Sequence, residues 1–526
     1  MLVLAMTGLL VEICFVGMAL LRDLLENMVP FLALYGMACL AYGAAVYSLS
    51  LCDEGAVGPS AAALRGSAGR RTLPLTLGLA ILFRVTLLFT TPPTLSTDVY
   101  RYIWDGRMTN AGVNPYAHAV NSPLLDRFDS PQRALVNHSW MASPYLPAAQ
   151  AFFAAVYRLA PDSVPSEWPF LKSDSPLSFQ VAAVLLDLLT GWLLIDLLNR
   201  LGLPRTWALI YLWNPLVVVE FAHGAHLDAL MICLVMVAFW LLIAADGWLS
   251  SASAFLSAVA LAAATLTKGL PALLLPVLAR RWGWRHTLAY AVLVIAACLP
   301  FALGAGWGLV GPLDGEGLFG ALRIYTAYWN FNSGLYHWLE LGLSACWTPG
   351  TGPSAAVGWQ PILVARLTAL AALCLVVIVT WRRGRRCGDA LALLRLALLP
   401  LAAYLLLATT VHPWYVTFVT PLLPFLPPRR GEAARRRRLL VPWLYFSAAV
   451  PLSYLTYLDP ANPRESGLVR LVQYVPLYVL LVWSVWPTLT LQKGHSDGAP
   501  PLFKKGHSDG APAAVLAGLV QTDVDG

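Results

Sequence analysis

The sequence predicts an all-α, polytopic helical membrane protein. Of its 526 residues, 58% are hydrophobic and only 12% are charged, whereas an ordinary soluble domain has about 25% charged residues. The mean hydropathy of +0.65 arises from repeated apolar runs of roughly 18–22 residues, long enough for a helix to cross a ~30 Å hydrocarbon layer. These observations exclude a soluble enzyme. The net charge of +7 comes from short Lys and Arg clusters between the apolar runs, so no nucleic-acid partner is predicted.

About fourteen membrane crossings are predicted from these runs. The runs lie near residues 2–21, 29–51, 73–92, 177–198, 204–222, 227–245, 252–266, 269–279, 287–305, 357–381, 390–410, 413–427, 439–457 and 468–488. Five arginine clusters lie between them, near residues 65–71, 200–205, 280–285, 382–386 and 429–438. The positive-inside rule places all five in the cytoplasm. This placement requires that both termini lie in the cytoplasm and that runs 252–266 and 269–279 are two short spans that meet at Lys268. Pro271 supports two spans, because it would disturb one continuous helix there.

The same threading divides the chain into six segments. These are N-terminal transmembrane helices (1–92), a large extracytoplasmic loop (93–176), a transmembrane core (177–305), a second extracytoplasmic loop (306–356), C-terminal transmembrane helices (357–488) and a cytoplasmic tail (489–526). The tail repeats KGHSDGAP, and its Gly, Pro, Ser and Asp content predicts disorder. The two extracytoplasmic loops hold most of the remaining polar residues.

The first extracytoplasmic loop contains a predicted amphipathic helix in STDVYRYIWDGRMTNAGVNPY, residues 96–116. At about 100° per residue, Asp98, Arg101, Tyr102 and Asp105 share one face. Such a helix would lie at the membrane surface and present two carboxylates and a guanidinium above the bilayer. The alternative is an interfacial helix whose charges are only solvated.

Polar residues also recur at the predicted outer ends of spans. They are Glu220, His223, His226 and Asp228 around one turn, Lys268 at another and His412 at a third. A charge deep in a span costs roughly 2.5–3.5 kcal/mol on insertion scales. Several such residues at one face of the membrane therefore predict a polar cavity.

The order and spacing of several motifs resemble a known family. STDVYRYIWDGR is followed by AGVNPY, VNH, NPLVVVEFAHGAHLDAL, a Lys before a short Pro-containing span, FNSGLY and HPWY. Together they resemble the bacterial polytopic mannosyltransferases of the GT-C superfamily that use polyprenyl-phosphate sugars. The resemblance runs from about residue 73 to residue 425. The chain departs from it at residues 225–228, which read AHLD in place of Gly-His-Asn-Asp, and at 145–147, which read YLP in place of Tyr-Pro-Pro.

The resemblance implies that mannose moves, with inversion, from a polyprenyl-phosphate donor to a glycan or glycolipid acceptor. Phosphate leaves without protonation, so one carboxylate base is enough, together with cations that hold the phosphate. Asp98 is predicted to be this base, because it opens the helix and matches the family's acidic position. Asp105, about 10 Å away along the helix, is the other candidate, unless it and Arg107 fix the loop instead.

The remaining predicted site residues fall into two groups. The donor phosphate is assigned to Arg101, Lys268 and His412. The sugar and acceptor are assigned to Tyr102, Arg107, His226, Asp228, Asn330 and Asn332. No metal or other cofactor is predicted, because the eight cysteines form no CxxC pair and no HExxH spacing occurs.

Two other functions also fit part of the pattern. A secondary transporter would account for many spans with intramembrane charges, although the chain lacks the matching halves of transporters built from repeats. A ligase that transfers a whole lipid-linked oligosaccharide would share the external site. The resemblance implies a protein surrounded by the lipid of the bacterial inner (plasma) membrane, with an extracytoplasmic active site.

Overall fold

The computed structural model describes residues 1–54, 59–88, 92–160, 174–244, 251–346, 360–385, 388–426, 433–459 and 462–496. Within these ranges the chain is helical, without strands, and one isolated bridge pairs Phe331 with Thr410. Residues 1–484 form one compact unit, and residues 485–526 form a second. The predicted tail from residue 497 onward, with most of its repeat, lies outside the described residues.

Most of the described chain is α-helix. The α-helices are α1 (Leu2–Leu20), α2 (Met28–Glu54), α3 (Pro59–Leu88), α4 (Asp98–Asn110), α5 (Pro147–Leu159), α6 (Pro176–Arg200), α7 (Leu209–Leu212), α8 (Pro215–Val218), α9 (Asp228–Ala244), α10 (Ser251–Thr267), α11 (Leu275–Ala305), α12 (Gly320–Tyr328), α13 (Leu335–Cys346), α14 (Pro361–Gly384), α15 (Ala390–Leu407), α16 (Ala433–Ala449) and α17 (Gly467–Ser496). The last helix continues past the boundary predicted at residue 488.

Eight helices in the described ranges are long and apolar enough to cross a membrane. They are Leu2–Leu20, Met28–Leu51, Pro176–Arg200, Leu270–Ala305, Pro361–Gly384, Ala390–Leu407, Arg437–Tyr457 and Gly467–Val485. A ninth span would be the pair Pro215–His223 and Asp228–Ala244, which is bent by 119°. The predicted all-α polytopic membrane protein is confirmed, whereas the number of crossings stays a prediction.

Proline breaks two of the predicted runs into short helical turns. Run 204–222 forms a 3-10 turn, α7, α8 and a π-turn at Val219–His223. Run 413–427 begins with two 3-10 helices, Pro413–Phe418 and Thr420–Phe425. Proline has no N–H to donate and disturbs a helix interior. The side chains of these turns are almost all buried, so the irregular backbone is packed inside protein and not against lipid.

The helix breaks at Lys268, as the sequence predicted, whereas the threading of the chain across the membrane stays a prediction. Helix α10 ends at Thr267, Lys268 follows, and a 3-10 helix then covers Leu270–Leu274. A second break falls at Gly283, where φ is +74° and α11 divides into two helical parts. Glycine adopts positive φ without the steric cost of a side chain. The arginine cluster at 280–285 therefore lies at a break between helices.

Helix α4 corrects one prediction, because it is buried and does not lie exposed at the membrane surface. Its apolar side chains pack against α5 in a small hydrophobic cluster. The two backbones approach so closely that a Cβ on Gly106 would lie 2.5 Å from the Phe153 carbonyl oxygen. The predicted polar face is also covered, because Arg101 and Asp105 are both buried. Among the charged residues of that face, Asp98 is the one that stays accessible.

Candidate active site

A cavity of about 700 Å³ lies beside the start of α4. Its polar lining consists of Asp98, Arg101, Asn137, His138, Lys268 and His412, together with several hydroxyl groups. Aromatic rings form much of the remaining wall, among them Tyr325, Trp329, Trp414 and Tyr415. The volume lies in the range typical of small-molecule sites. The structure thus brings together, in one cavity, polar residues that are far apart in the sequence.

Asp98 is the first residue of α4, and its carboxylate faces the cavity with 20% of the side chain exposed. Asn137 Nδ2 donates a hydrogen bond of 2.7 Å to Asp98 Oδ1. His226 Nδ1 lies 4.0 Å from Asp98 Oδ2. The N-terminal end of a helix also favours negative charge. The carboxylate is therefore held on one side and open to a ligand on the other, which is what a proton acceptor requires.

Arg101 connects α4 to the loop that carries Asn137. Its guanidinium is buried and donates to the backbone carbonyls of Asn137 at 3.2 Å, His138 at 3.0 Å and Met141 at 3.3 Å. Five N–H groups in a rigid fork suit a guanidinium to several acceptors at once. Arg101 lines the cavity, but most of its donors serve the loop. Its contribution to the site is therefore to hold Asn137 against Asp98.

Asp105 lies two turns further along α4 and away from the cavity. Ser143 Oγ donates to its Oδ2 at 2.5 Å, and Gln150 Nε2 donates to the same oxygen at 3.1 Å. Burial raises the pKa of Asp105, whereas the charge of Arg101 and the two hydrogen bonds act in the opposite direction. Asp105 thus connects α4 to residues 143–150, which supports the loop-fixing interpretation.

We expect Asp105→Asn to lower the thermal stability of the protein more than its turnover per folded molecule. Hydrogen bonds to a charged acceptor are worth roughly 1.5–3 kcal/mol, against about 0.5–1.5 kcal/mol for neutral pairs, so about 1–2 kcal/mol should be lost. Thermal unfolding in detergent, followed by tryptophan fluorescence, measures the effect. Asp126→Asn is the matched control, because Asp126 is 68% exposed beside Arg133 and such pairs contribute about 1 kcal/mol or less. Normal stability with lost turnover in Asp105→Asn would contradict this role.

Lys268 and Asp228 form an ion pair at the cavity wall. Lys268 Nζ lies 2.8 Å from both carboxylate oxygens of Asp228 and 4.6 Å from the centre of the Tyr415 ring. The Asp228 side chain is buried, whereas that of Lys268 is 21% exposed. The ammonium therefore reaches the cavity while its aliphatic stem and its partner stay inside the protein.

Four stacked rings, which we call the ring column, run through this part of the core. His226 stacks on Trp414 at 3.9 Å between ring centres, Trp414 on His412 at 4.4 Å, and His412 on Phe331 at 4.8 Å. The bridge next to Phe331 fixes one end, since the Val411 N–H donates to the Phe331 carbonyl at 2.8 Å. The column unites two histidines that are distant in the sequence.

The turn that carries His226 has an unusual backbone. The π-turn Val219–His223 precedes it, and Ala225 has a φ of +54°. Both features are uncommon for residues with side chains and are often found at functional sites. Here they bring Glu220 Oε2 to 3.2 Å from His226 Nε2. The turn therefore presents a buried carboxylate to a histidine that also approaches Asp98.

One known family covers most of these residues. Residues 4–292, more than half of the chain, match the family described as alpha-(1->6)-mannopyranosyltransferase, N-terminal domain. The chain belongs to this family. A stretch of 158 residues is 27% identical to alpha-(1->6)-mannopyranosyltransferase A of Corynebacterium glutamicum and covers 29% of each chain. The chain thus spans less than a third of the length of the curated relative it matches, and no solved structure matches it.

Membership of this family confirms the resemblance to the polytopic mannosyltransferases that the motifs indicated. The matched range contains Asp98, His226 and Lys268, whereas His412 lies beyond it. The side of the membrane and the role of each site residue remain predictions.

Besides Asp105, His226 and Asp228, four other predicted residues lie away from the cavity lining. Tyr102 is buried and stacks on Phe153 with 4.6 Å between ring centres. Asn330 Nδ2 donates to Glu340 at 3.2 Å, and Asn332 Nδ2 donates to the Val411 carbonyl at 3.3 Å. Arg107 is partly exposed in the last turn of α4. These residues support the surrounding structure, and a sugar in the cavity would not touch them without rearrangement.

The sequence interpretation gave no role to several residues of the site. Asn137 and His138 belong to the VNH motif and Trp414 to HPWY, so the motifs contained the signal without revealing the contacts. His138 meets Trp329 edge to face at 4.7 Å, and burial lowers its pKa. Within the described residues, no group of three or more His, Cys, Asp and Glu side chains is arranged to hold a metal ion.

Proposed function

We propose that this protein is a membrane mannosyltransferase that moves mannose from a polyprenyl-phosphate donor to a glycan or glycolipid acceptor on the extracytoplasmic side. The observation that carries the proposal is the Asp98 carboxylate, held by Asn137 and open to the cavity, in a chain of the alpha-(1->6)-mannopyranosyltransferase family. The relative from Corynebacterium glutamicum is named alpha-(1->6)-mannopyranosyltransferase A, which supports mannose as the transferred sugar.

The transfer would proceed in one displacement. The acceptor hydroxyl attacks the anomeric carbon of mannose from the face opposite the phosphate, and its proton passes to Asp98. The bond between that carbon and the phosphate oxygen breaks, and the phosphate leaves with the electron pair. Lys268 and His412, which line the same cavity, would face the developing phosphate charge. In this proposal Arg101 supports the base through the loop and does not hold the phosphate itself.

The cavity also supports this function over the two alternatives. Its aromatic wall offers faces for a sugar ring and for isoprenoid chains, as an amphipathic donor requires. A volume of about 700 Å³ suits one sugar with its phosphate better than a whole lipid-linked oligosaccharide. A transporter would move its substrate without changing it, so detection of mannose on the acceptor would distinguish a transferase from a transporter.

The direct test is a transfer assay with the full chain in lipid nanodiscs. The protein should move radiolabel from polyprenyl-phosphate [¹⁴C]mannose to an added mannan oligosaccharide, with release of polyprenyl phosphate. GDP-[¹⁴C]mannose serves as the control donor and should give no product. Label that stays on the lipid with the purified wild type would contradict the proposed function. Radiolabel that crosses the bilayer of sealed vesicles unchanged would support the transporter.

The sidedness of the site has its own test. We expect a reporter inserted after Leu135 to respond outside the cytoplasm, and one inserted after Gly202 to respond inside it. Leu135 is exposed in the loop next to Asn137, and exposed Gly202 lies between the cluster residues Arg200 and Arg205. The positive-inside rule gives the direction. Phosphatase and green fluorescent protein fusions measure it, and both reporters on the same side would contradict the threading.

A further inference from the structure

A second carboxylate lies behind the proposed base. Glu220 is buried and accepts hydrogen bonds from the Tyr454 hydroxyl, at 3.0 Å on Oε1 and 3.1 Å on Oε2. His226 lies between the two carboxylates, with Nε2 at 3.2 Å from Glu220 and Nδ1 at 4.0 Å from Asp98. One buried imidazole thus connects a carboxylate in the cavity to a carboxylate in the core.

The environment of Glu220 explains why this histidine matters. A buried carboxylate is costly unless it is hydrogen-bonded and paired with a charge. Within the described residues, the Tyr454 hydroxyl hydrogen-bonds to Glu220, whereas His226 Nε2 lies 3.2 Å from Oε2 and neither buried ring nitrogen of His226 makes a hydrogen bond. A proton on His226 would give Glu220 a counter-charge and would turn a second N–H toward Asp98.

We propose that His226 is a positioning residue for Asp98 that also receives the proton which Asp98 removes from the acceptor. This inference rests on the proposed function. The proton moves from Asp98 Oδ2 to His226 Nδ1, the positive charge of the imidazolium faces Glu220 across the 3.2 Å from Nε2, and Asp98 becomes a carboxylate again. Water that enters the cavity after product release takes the proton away. The atoms and charges balance without a further reactant.

The geometry sets one requirement for this step. A separation of 4.0 Å is too long for a hydrogen bond, so Asp98 and His226 must approach by about 1 Å when substrate binds, as catalytic contacts often do. Trp414 stacks on His226 with an angle of 18° between the rings, so a shift of the imidazole in its own plane would keep this contact. The other titratable groups near His226 are His223 and His412. His412 in turn faces Lys268, whose charge is partly neutralised by Asp228.

The test is chemical rescue of His226→Ala in the full chain. This variant should lower kcat for mannose transfer by roughly 10- to 100-fold and change the donor KM by less than threefold. Added imidazole should restore part of kcat, whereas pyrazole, a ring of the same size that is far less basic, should not. Glu220→Gln, which keeps the shape, should lower kcat in the same way. His223→Ala is the matched control, since this buried histidine accepts from the Thr94 N–H at 3.2 Å, and kcat should stay within threefold.

The possible results separate this inference from the proposed function. Rescue by both azoles would mean that His226 only fills space beside Trp414, and rescue by neither, or an unchanged kcat, would equally overturn the proton transfer. A variant with a raised donor KM or a lowered thermal stability, but an unchanged kcat, would also overturn the proton transfer. In each of these cases the wild type still transfers mannose. A wild type that transfers none would overturn the proposed function, and this inference with it.

Discussion

Asp98→Asn should lower mannose transfer by about 10²–10⁴-fold, the usual effect of losing a general base. Asparagine keeps the size of the side chain, and its Oδ1 can still accept from Asn137 Nδ2, which lies 2.7 Å from the carboxylate in the wild type. The substitution therefore removes the proton acceptor without removing the contact that holds it. Single-turnover transfer from labelled donor measures the rate, and donor binding should survive.

Asp105→Asn is the internal control for this result, because both carboxylates belong to α4 and only Asp98 lines the cavity. If Asp105→Asn abolished transfer and Asp98→Asn did not, the two roles would have to be exchanged. If neither variant affected transfer by purified, folded protein, α4 would have no catalytic role. A direct uptake assay for the transporter alternative would then be the next measurement.

Lys268→Met should weaken binding of polyprenyl-phosphate mannose by about 10- to 100-fold, because a hydrogen bond to a charged group contributes roughly 1.5–3 kcal/mol. The same change leaves the buried Asp228 carboxylate without its ammonium partner. Breaking a buried pair on one side costs about 3–5 kcal/mol. We therefore expect a marked loss of thermal stability together with the loss of affinity, both measured on detergent-purified protein.

A double variant separates these two effects. Lys268→Met with Asp228→Asn removes the uncompensated charge, so it should recover stability, whereas donor affinity should stay low. Arg205→Met is the control cation, because Arg205 is exposed and bonds to Asn199. A donor affinity in the double variant equal to that of the wild type would mean that Lys268 only balances Asp228 and extends along the protein surface.

The sequence predicted the fold class well because apolar composition and run length respond directly to the bilayer. It also predicted the interruption at Lys268 and Pro271, since proline chemistry is local. The sequence did not predict burial where one structural element covers the polar side chains of another. The sequence placed Arg101, Tyr102 and Asp105 on one face of α4, but Tyr102 packs in a hydrophobic cluster. The cover over Arg101 and Asp105 comes from residues 137–150, and no local pattern in α4 contains that information.

The site shows the same division between local and tertiary information. Polar residues at the ends of spans predicted a cavity, and Asp98, Lys268 and His412 do line one. The predicted role of Asp228 as a sugar ligand did not anticipate its ion pair with Lys268. Asn330 and Asn332 belong to a loop that bonds to its own surroundings. Residue type indicated chemistry, whereas partners depended on packing between distant segments.

The short turns around the cavity impose an order on membrane assembly. Segments 204–222 and 413–425 are divided into short 3-10, α and π turns, so each has several helix ends whose backbone groups need partners from other elements. They therefore depend for shelter from lipid on regular helices that pack against them, such as α6. One wall of the cavity, from His412 to Phe418, is also synthesised late. A nascent chain that stops after α11 would therefore lack this wall of the cavity.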